Sequence, residues 1–161
     1  MRSRLLSSAF VFLLVGAGPA LAWSEPRCRH TPALRLPICT VWRDEALVAG
    51  KINLGFALAG TGVSLVVSQN GWQMPRRGSL TALISVDQGE PLRRDTRTNG
   101  SVVVVVLTED DANLLAGGTK VQISLPATII GTSLDGSREA LSALRDAWLA
   151  AKTASDPFAT P

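Results

Sequence analysis

The 161-residue sequence contains no tyrosine, a single histidine and only two cysteines. Aromatic residues make up 5% of the chain, so the sequence predicts no platform for stacking bases or sugars. The single histidine, His30, lies near the cysteines, which disfavours a Ser-His-Asp hydrolase. The stretch from Gly131 to Asp135 also lacks the final glycine of a nucleophile elbow. No Cys-x-x-Cys redox motif and no phosphate loop are present, so we expect no enzyme activity and no cofactor.

Long hydrophobic runs are confined to the N-terminus. Two arginines precede a mostly apolar stretch from Leu5 to Val15, and the small residues Ala20–Ala22 follow a Gly-Pro break. This order is typical of a cleavable secretory signal, and its apolar part is too short to span a bilayer. We expect cleavage near Ala22 and a periplasmic or secreted protein without stable membrane insertion. Residue 23 is tryptophan, so no lipid-bearing cysteine follows the signal.

The positive charge of the chain belongs largely to this signal. The whole sequence has 16 basic and 13 acidic residues, a net charge of +3. Without Arg2 and Arg4, 14 basic and 13 acidic residues remain, a net charge of +1. So small a charge gives no argument for nucleic acid as a partner.

The two cysteines, Cys28 and Cys39, lie close together in an exported chain. In an oxidising compartment such a pair is expected to form a disulfide bond. The alternative is a metal site made of Cys28, His30 and Cys39, for which no fourth ligand is evident.

Beyond residue 50, hydrophobic residues alternate with period two, which is typical of strands with one buried face. Asn-Gly pairs at 70–71 and 99–100 predict tight hairpins. The run Val102–Leu107 is apolar at every position and predicts a central strand that is covered on both faces. Strands are predicted around 52–58, 63–68, 80–86, 102–107 and 121–125, and residues 127–132 are a candidate extension of the sheet after Pro126.

Two segments predict helices. Thr108 followed by three carboxylates marks a short helix that ends at Gly117. From Ser137 to Pro157, apolar residues recur every three or four positions and predict an amphipathic C-terminal helix. We therefore expect a β-rich α+β fold: an antiparallel sheet or small β-sandwich with one C-terminal helix packed on it. The expected organisation is a signal (1–22), a disulfide-tied arm (23–48), one domain (49–154) and a frayed tail (155–161).

Basic residues supply the candidate binding site. Two arginine pairs and a single arginine flank a predicted strand, close to a tryptophan. If the two connections meet, their guanidinium groups would bind a carboxylate, a phosphate or an acidic protein; the alternative is two separate solvated loops. The acidic cluster at 109–111 is better explained as a helix start than as a catalytic pair or a calcium loop. The predicted patch consists of Trp72, Arg76, Arg77, Arg93, Arg94 and Arg97.

Several motifs resemble the invasion-associated locus B family of small exported bacterial proteins. These are Trp72 with Met74-Pro75, the Val86-Asp87 strand end, and the Leu134-x-Gly-Ser-x-x-Ala-Leu helix start. The resemblance covers about residues 50–150 and implies a periplasmic β-rich fold without known catalysis. Relatives often carry a cysteine in the final helix where this chain has Ala147-Trp148, so their cysteine pairing does not transfer.

These observations favour a non-enzymatic binding or accessory protein of the cell envelope, with another envelope protein as its partner. The partner would meet either the arginine loops or an exposed strand edge. The alternative is an inhibitor of a wall-degrading or proteolytic enzyme, which suits a small disulfide-bonded exported domain.

Overall fold

The computed structural model describes residues 23–30, 36–47, 50–60 and 62–154. The expected signal (1–22) and tail (155–161) lie outside these residues. Within them the chain forms nine strands and two helices. Their bounds are β1 Arg27–Arg29, β2 Ile38–Leu47, β3 Gly50–Ala59, β4 Gly62–Gln69, β5 Met74–Val86, β6 Leu92–Gly100, β7 Val102–Val106, α1 Glu109–Gly117, β8 Lys120–Leu125, β9 Thr128–Ser133 and α2 Ser137–Ala154.

The nine strands form one antiparallel sheet in the order β1-β2-β3-β4-β7-β6-β5-β8-β9. The sheet curls into a half-barrel. Hairpins connect most neighbours, while the link from β4 to β5 passes over β7 and β6. The predicted β-rich α+β class is confirmed, but the described strands make a single sheet rather than a sandwich, and two helices accompany it. No helix among the described residues is long and apolar enough to cross a membrane.

Burial alternates along the strands and defines an inner face, which packs against the helices, and an outer face. In β4, Val63, Leu65 and Val67 are buried, whereas Ser64 and Ser68 are partly exposed. Burial of this apolar inner face supplies most of the stabilisation of the fold. The largest fully buried side chains include Phe56, Leu54, Leu65, Ile84, Leu115, Ile123, Ile130, Leu134, Leu141 and Leu144.

The outer face of β7 differs from the expectation of a strand covered on both sides. Val103 and Val105 are fully buried on the inner face. Val106 is 51% exposed on the outer face. The prediction of a doubly covered strand is therefore wrong: an all-valine strand also follows from β propensity at a central position that is covered on one side.

The segment 23–48, expected as an arm, contributes two strands to the sheet. β2 pairs with β3 over all ten of its residues. Its inward positions Cys39, Val41 and Arg43 are buried. The alternation of this strand is hidden in the sequence because an arginine takes one of the inward positions.

Cys28 and Cys39 form the predicted disulfide bond. The two residues lie directly opposite each other on β1 and β2. The Sγ atom of Cys28 lies 3.6 Å from the carbonyl oxygen of Ala147 in α2, so the bridge packs between the sheet and the helix. The alternative of a metal site with His30 is wrong, because a disulfide leaves neither cysteine as a thiolate ligand.

Helix α1 is held to the inner face of β6 through its N-terminus. Thr108 Oγ1 accepts a hydrogen bond from Asp111 N (3.2 Å), and the Asp111 carboxylate accepts one from Thr108 N (2.9 Å), which completes a capping box. Asp111 also accepts from Arg94 Nε (2.7 Å) and Nη2 (2.6 Å). The hydrogen bond from Arg94 is the main cause that lowers the pKa of Asp111, and it outweighs the effect of burial. One carboxylate thus caps the helix and anchors it to the sheet.

Removal of the disulfide should lower the free energy of unfolding. For the mature protein with Cys28→Ala and Cys39→Ala, we expect a loss of about 3 kcal/mol in urea unfolding, because the unfolded chain regains the freedom of a short closed loop. Dithiothreitol should destabilise the wild type by a similar amount and leave the variant unaffected. Alkylation of two thiols in unreduced wild type would contradict the assignment.

Replacement of Asp111 should produce a pH-dependent loss of stability. We expect Asp111→Asn to lose about 2 kcal/mol at pH 7, since the charge-assisted bonds to Arg94 and the cap are weakened together. A lowered pKa means that this stabilisation is complete above the ordinary value of 3.8 and is lost as the pH falls through the lowered pKa.

The matched control for this variant is Asp110→Asn, an exposed neighbour in the same helical turn, which should change stability by less than about 1 kcal/mol. Urea unfolding at pH 7 and pH 3 measures both variants. A difference between wild type and Asp111→Asn that does not shrink at pH 3 would rule out the ion pair as its source.

Candidate anion-binding cleft

A bulge at the start of β5 sets two adjacent arginines on the outer face. The pairing with β6 shifts between Met74 and Gly78, where the three residues 75–77 oppose a single residue. Extra residues of this kind bend a strand and redirect its side chains. Arg77 has a φ of 60°, a left-handed conformation that is uncommon for a residue with a side chain.

The bulge is pinned from β6. Thr98 Oγ1 donates a hydrogen bond of 2.8 Å to the carbonyl oxygen of Pro75. A Cβ atom at Gly78 would lie 2.5 Å from that same Oγ1, so this position must be glycine for the threonine to reach its partner. The local sequence Pro-Arg-Arg-Gly therefore both forms the bulge and leaves room for the side chain that holds it.

Arg76, Arg77 and Arg97 line one open cleft of about 870 Å³ on the outer face. Arg97 reaches it from β6, and Asp95 is the acidic residue among the lining side chains. All three arginines are exposed. Within the described part of the chain, their guanidinium groups make no ion pair. Three cations near one carboxylate give the cleft a positive potential.

Such a cleft is suited to binding an anion. The guanidinium group presents a planar set of donors that matches a carboxylate or a phosphate in two parallel hydrogen bonds. Ser79 and Asn99 also line the cleft and add neutral hydrogen-bonding groups.

The other members of the predicted patch lie elsewhere. Arg93 shares the outer face of β6, but it lies four residues from Arg97, about 13 Å along the strand. Arg94 points to the inner face, where it binds Asp111. Trp72 is partly buried and packs against the core. The structure therefore brings together three of the five predicted arginines, on two paired strands rather than on two loops.

The acidic cluster at the start of α1 serves the fold. Glu109 forms an ion pair with Arg145 of α2, and Asp111 binds Arg94. Across the described ranges, no group of three His, Cys, Asp or Glu side chains is placed to hold a metal ion. His30 directly follows β1, which is the first strand in the sheet order, whereas β9 is the last.

A second cleft, of about 690 Å³, lies near the β5–β6 turn and the β8–β9 hairpin. Asp87 at its rim accepts hydrogen bonds from Thr119 Oγ1 (2.6 Å), Thr119 N (3.0 Å) and Lys120 N (2.8 Å). These bonds, the one from the Thr119 side chain above all, lower the pKa of Asp87. The Asp87 carboxylate thus connects the β5–β6 turn to the start of β8. The sequence indicates only that Asp87 lies in a turn and does not predict this contact.

Trp42 is a residue for which the sequence predicts no role. Trp23, Trp72 and Trp148 pack against the core, whereas Trp42 lies on the outer face of β2, above Gly55 of β3. A tryptophan within a charged stretch gives no signal of its orientation until the register of β2 is known.

The fold is similar to that of a solved structure. It matches the crystal structure of invasion associated protein B from Bartonella henselae with a TM-score of 0.55 and 17% sequence identity, over 78% of this chain and 92% of that chain. No protein-family model matches the sequence, and no curated protein matches it significantly.

At this identity the likeness concerns the fold alone. The resemblance expected from the Trp72, Val86-Asp87 and Leu134 motifs is confirmed as a weak structural relation. Those motifs lie at the link from β4 to β5, at a strand end and at a helix start, which are positions that shape the fold; the hairpin predicted at Asn70-Gly71 is wrong, because β4 pairs with β7 and not with β5. The disulfide bond fits an extracytoplasmic location for the protein.

Proposed function

We propose that this protein is a non-enzymatic binding or accessory protein of the bacterial cell envelope, periplasmic after removal of the signal near Ala22. It binds an acidic segment of a partner envelope protein in the cleft formed by Arg76, Arg77 and Arg97. The observation that carries the proposal is the convergence of these three exposed guanidinium groups on one cleft.

Energetic features of the cleft support a binding role. The left-handed conformation of Arg77 costs about 1–3 kcal/mol, and backbone strain of this kind concentrates at functional sites. Three like charges also repel one another when no anion is present. A bound carboxylate reduces this repulsion, so the cleft is better adapted to an anionic ligand than to an empty surface.

The placement of the carboxylates supports a role without catalysis. In the densest acidic cluster, Asp111 caps α1 and binds Arg94, and Glu109 forms an ion pair with Arg145. Asp87 is held by three donors from residues 119–120. Groups that are committed in this way to structural hydrogen bonds are poor candidates for proton transfer to a substrate.

The proposal predicts that loss of two cleft arginines weakens binding of an acidic peptide. With fluorescein-labelled hexaglutamate at 50 mM salt (roughly a 14 Å screening length), Arg76→Gln/Arg97→Gln should bind about tenfold or more weakly by fluorescence anisotropy, since each lost charge-assisted contact contributes over 1 kcal/mol. The matched control is Arg93→Gln/Arg138→Gln, which removes the same charge from exposed positions outside the cleft. Arg94 is left intact because it anchors α1.

The same pair of variants tests the biological partner. Crosslinking of the mature protein in envelope extract should give a product that the control double variant retains and the cleft double variant loses. Equal peptide affinity and equal crosslinking for both double variants would refute the proposed role of the cleft.

A further inference from the structure

Trp42 lines a groove that is separate from the cleft of Arg76, Arg77 and Arg97. The groove has a volume of about 580 Å³, within the range of small-molecule sites. It lies on the outer face of β1 and β2, where the side chains of alternate residues point the same way. Its lining residues are Ser24, Arg27, Arg29, Ile38, Thr40 and Trp42.

The indole ring is held flat against the sheet. A Cβ atom on Gly55, the residue opposite Trp42 on β3, would lie 2.6 Å from Trp42 Cε3 and 2.9 Å from Cδ2. Glycine at this position therefore allows the ring to lie directly on the backbone. The same side chain lines the groove.

The backbone of Trp42 is fixed on its other side by the N-terminal segment. Ser24 N donates to Trp42 O (2.7 Å), and Trp42 N donates to Ser24 Oγ (3.0 Å). Among the described residues, Trp42 Nε1 has no hydrogen-bond partner, whereas Nε1 of Trp23 and of Trp148 each donate to a carbonyl. The platform thus presents an apolar ring face together with an N–H donor.

Two arginines supply charge at this groove. Arg27 and Arg29 lie two residues apart on β1, about 7 Å along the strand, and both are exposed. Neither guanidinium group makes an ion pair within the described ranges. Among the residues whose side chains the structure describes, the groove lining contains no acidic side chain. The charge of the groove therefore complements a ligand that carries carboxylates.

We propose that this groove binds an acidic sugar unit of a glycan chain, with the pyranose ring on Trp42 and its carboxylate between Arg27 and Arg29. The C–H bonds on one face of a pyranose form a flat apolar surface that packs on the electron-rich face of an indole. Sugar hydroxyls accept from Nε1 and bond with Thr40. An acidic peptide would use the arginines but would leave a bare ring without a flat partner, so the indole favours the sugar.

The test is titration calorimetry of the oxidised mature protein with tetragalacturonate, which has one carboxylate per ring. Uncharged maltotetraose and the peptide tetraglutamate are the comparison ligands. We expect each to bind at least about tenfold more weakly than tetragalacturonate, because each lacks one of the two recognised features. Equal binding of tetraglutamate would replace the sugar assignment with a peptide site, and no binding of tetragalacturonate at millimolar concentration would overturn the proposal.

Substitutions in the groove test which of its residues bind tetragalacturonate. Trp42→Leu keeps an apolar side chain over Gly55 but removes the ring, and Arg27→Gln/Arg29→Gln removes the charge; each should weaken tetragalacturonate about tenfold. Arg93→Gln/Arg138→Gln, which removes the same charge from exposed positions outside both the groove and the arginine cleft, should bind it as the wild type does. In ¹⁵N spectra, the Trp42 indole signal should shift on binding while that of Trp148 stays. Unchanged affinity in both groove variants, or an unshifted Trp42 signal, would refute the site.

Discussion

Arg43 connects the two ends of the curled sheet, and the remaining architecture depends on that closure. Its side chain is 4% exposed, and Nη1 donates to the carbonyl oxygens of Ser133 (2.8 Å) and Asp135 (3.4 Å). Six strands lie between β2 and β9 in the sheet, so an open, gently twisted sheet would keep these groups far apart. Trp23 reinforces the closure, since its Nε1 donates to the same Asp135 oxygen (2.9 Å) while its ring stacks on Phe56. Helix α2 starts two residues later and packs on β1, β2 and β3, so the closure also directs the helix across the gap.

Within this curl, β6 carries the polar contacts of the core and the charges of the cleft on opposite faces. Inward, Arg94 binds α1, Thr96 donates to the carbonyl of Leu80 (3.0 Å) and Thr98 pins the β5 bulge. Each of these polar groups has a partner, which burial requires. Outward, Arg97 enters the cleft. Since side chains alternate along a strand, the register that satisfies the inner polar groups also fixes where the outer arginine points.

The elements predicted from the sequence are those whose inner faces are apolar. Strands β3, β4 and β8 and the amphipathic helix α2 follow from the period of their hydrophobic residues, β7 follows from its continuous apolar run, and α1 follows from its capping residues. Strands β2 and β6 lack this period in the sequence, because Arg43, Arg94, Thr96 and Thr98 occupy inward positions that the pattern assigns to apolar residues. For the same reason, the sequence predicts the cleft only in part. The sequence identifies its arginines, but their grouping depends on a bulge and on a strand whose alternation is polar.

The two basic sites of the outer face are independent by their geometry. One row of paired residues connects the tryptophan of the groove to an arginine of the cleft, and four strand spacings of about 4.8 Å separate its ends by about 19 Å. This distance is about two screening lengths at physiological salt, so an anion in one site has little effect on the potential at the other. The three residues between Trp42 and Arg97 in this row are uncharged, so they neutralise neither the charge of the groove nor the charge of the cleft. In order, the row consists of Trp42, Gly55, Val66, Val104 and Arg97. A short ligand can occupy either end alone, and a substitution at one end reports on that end only.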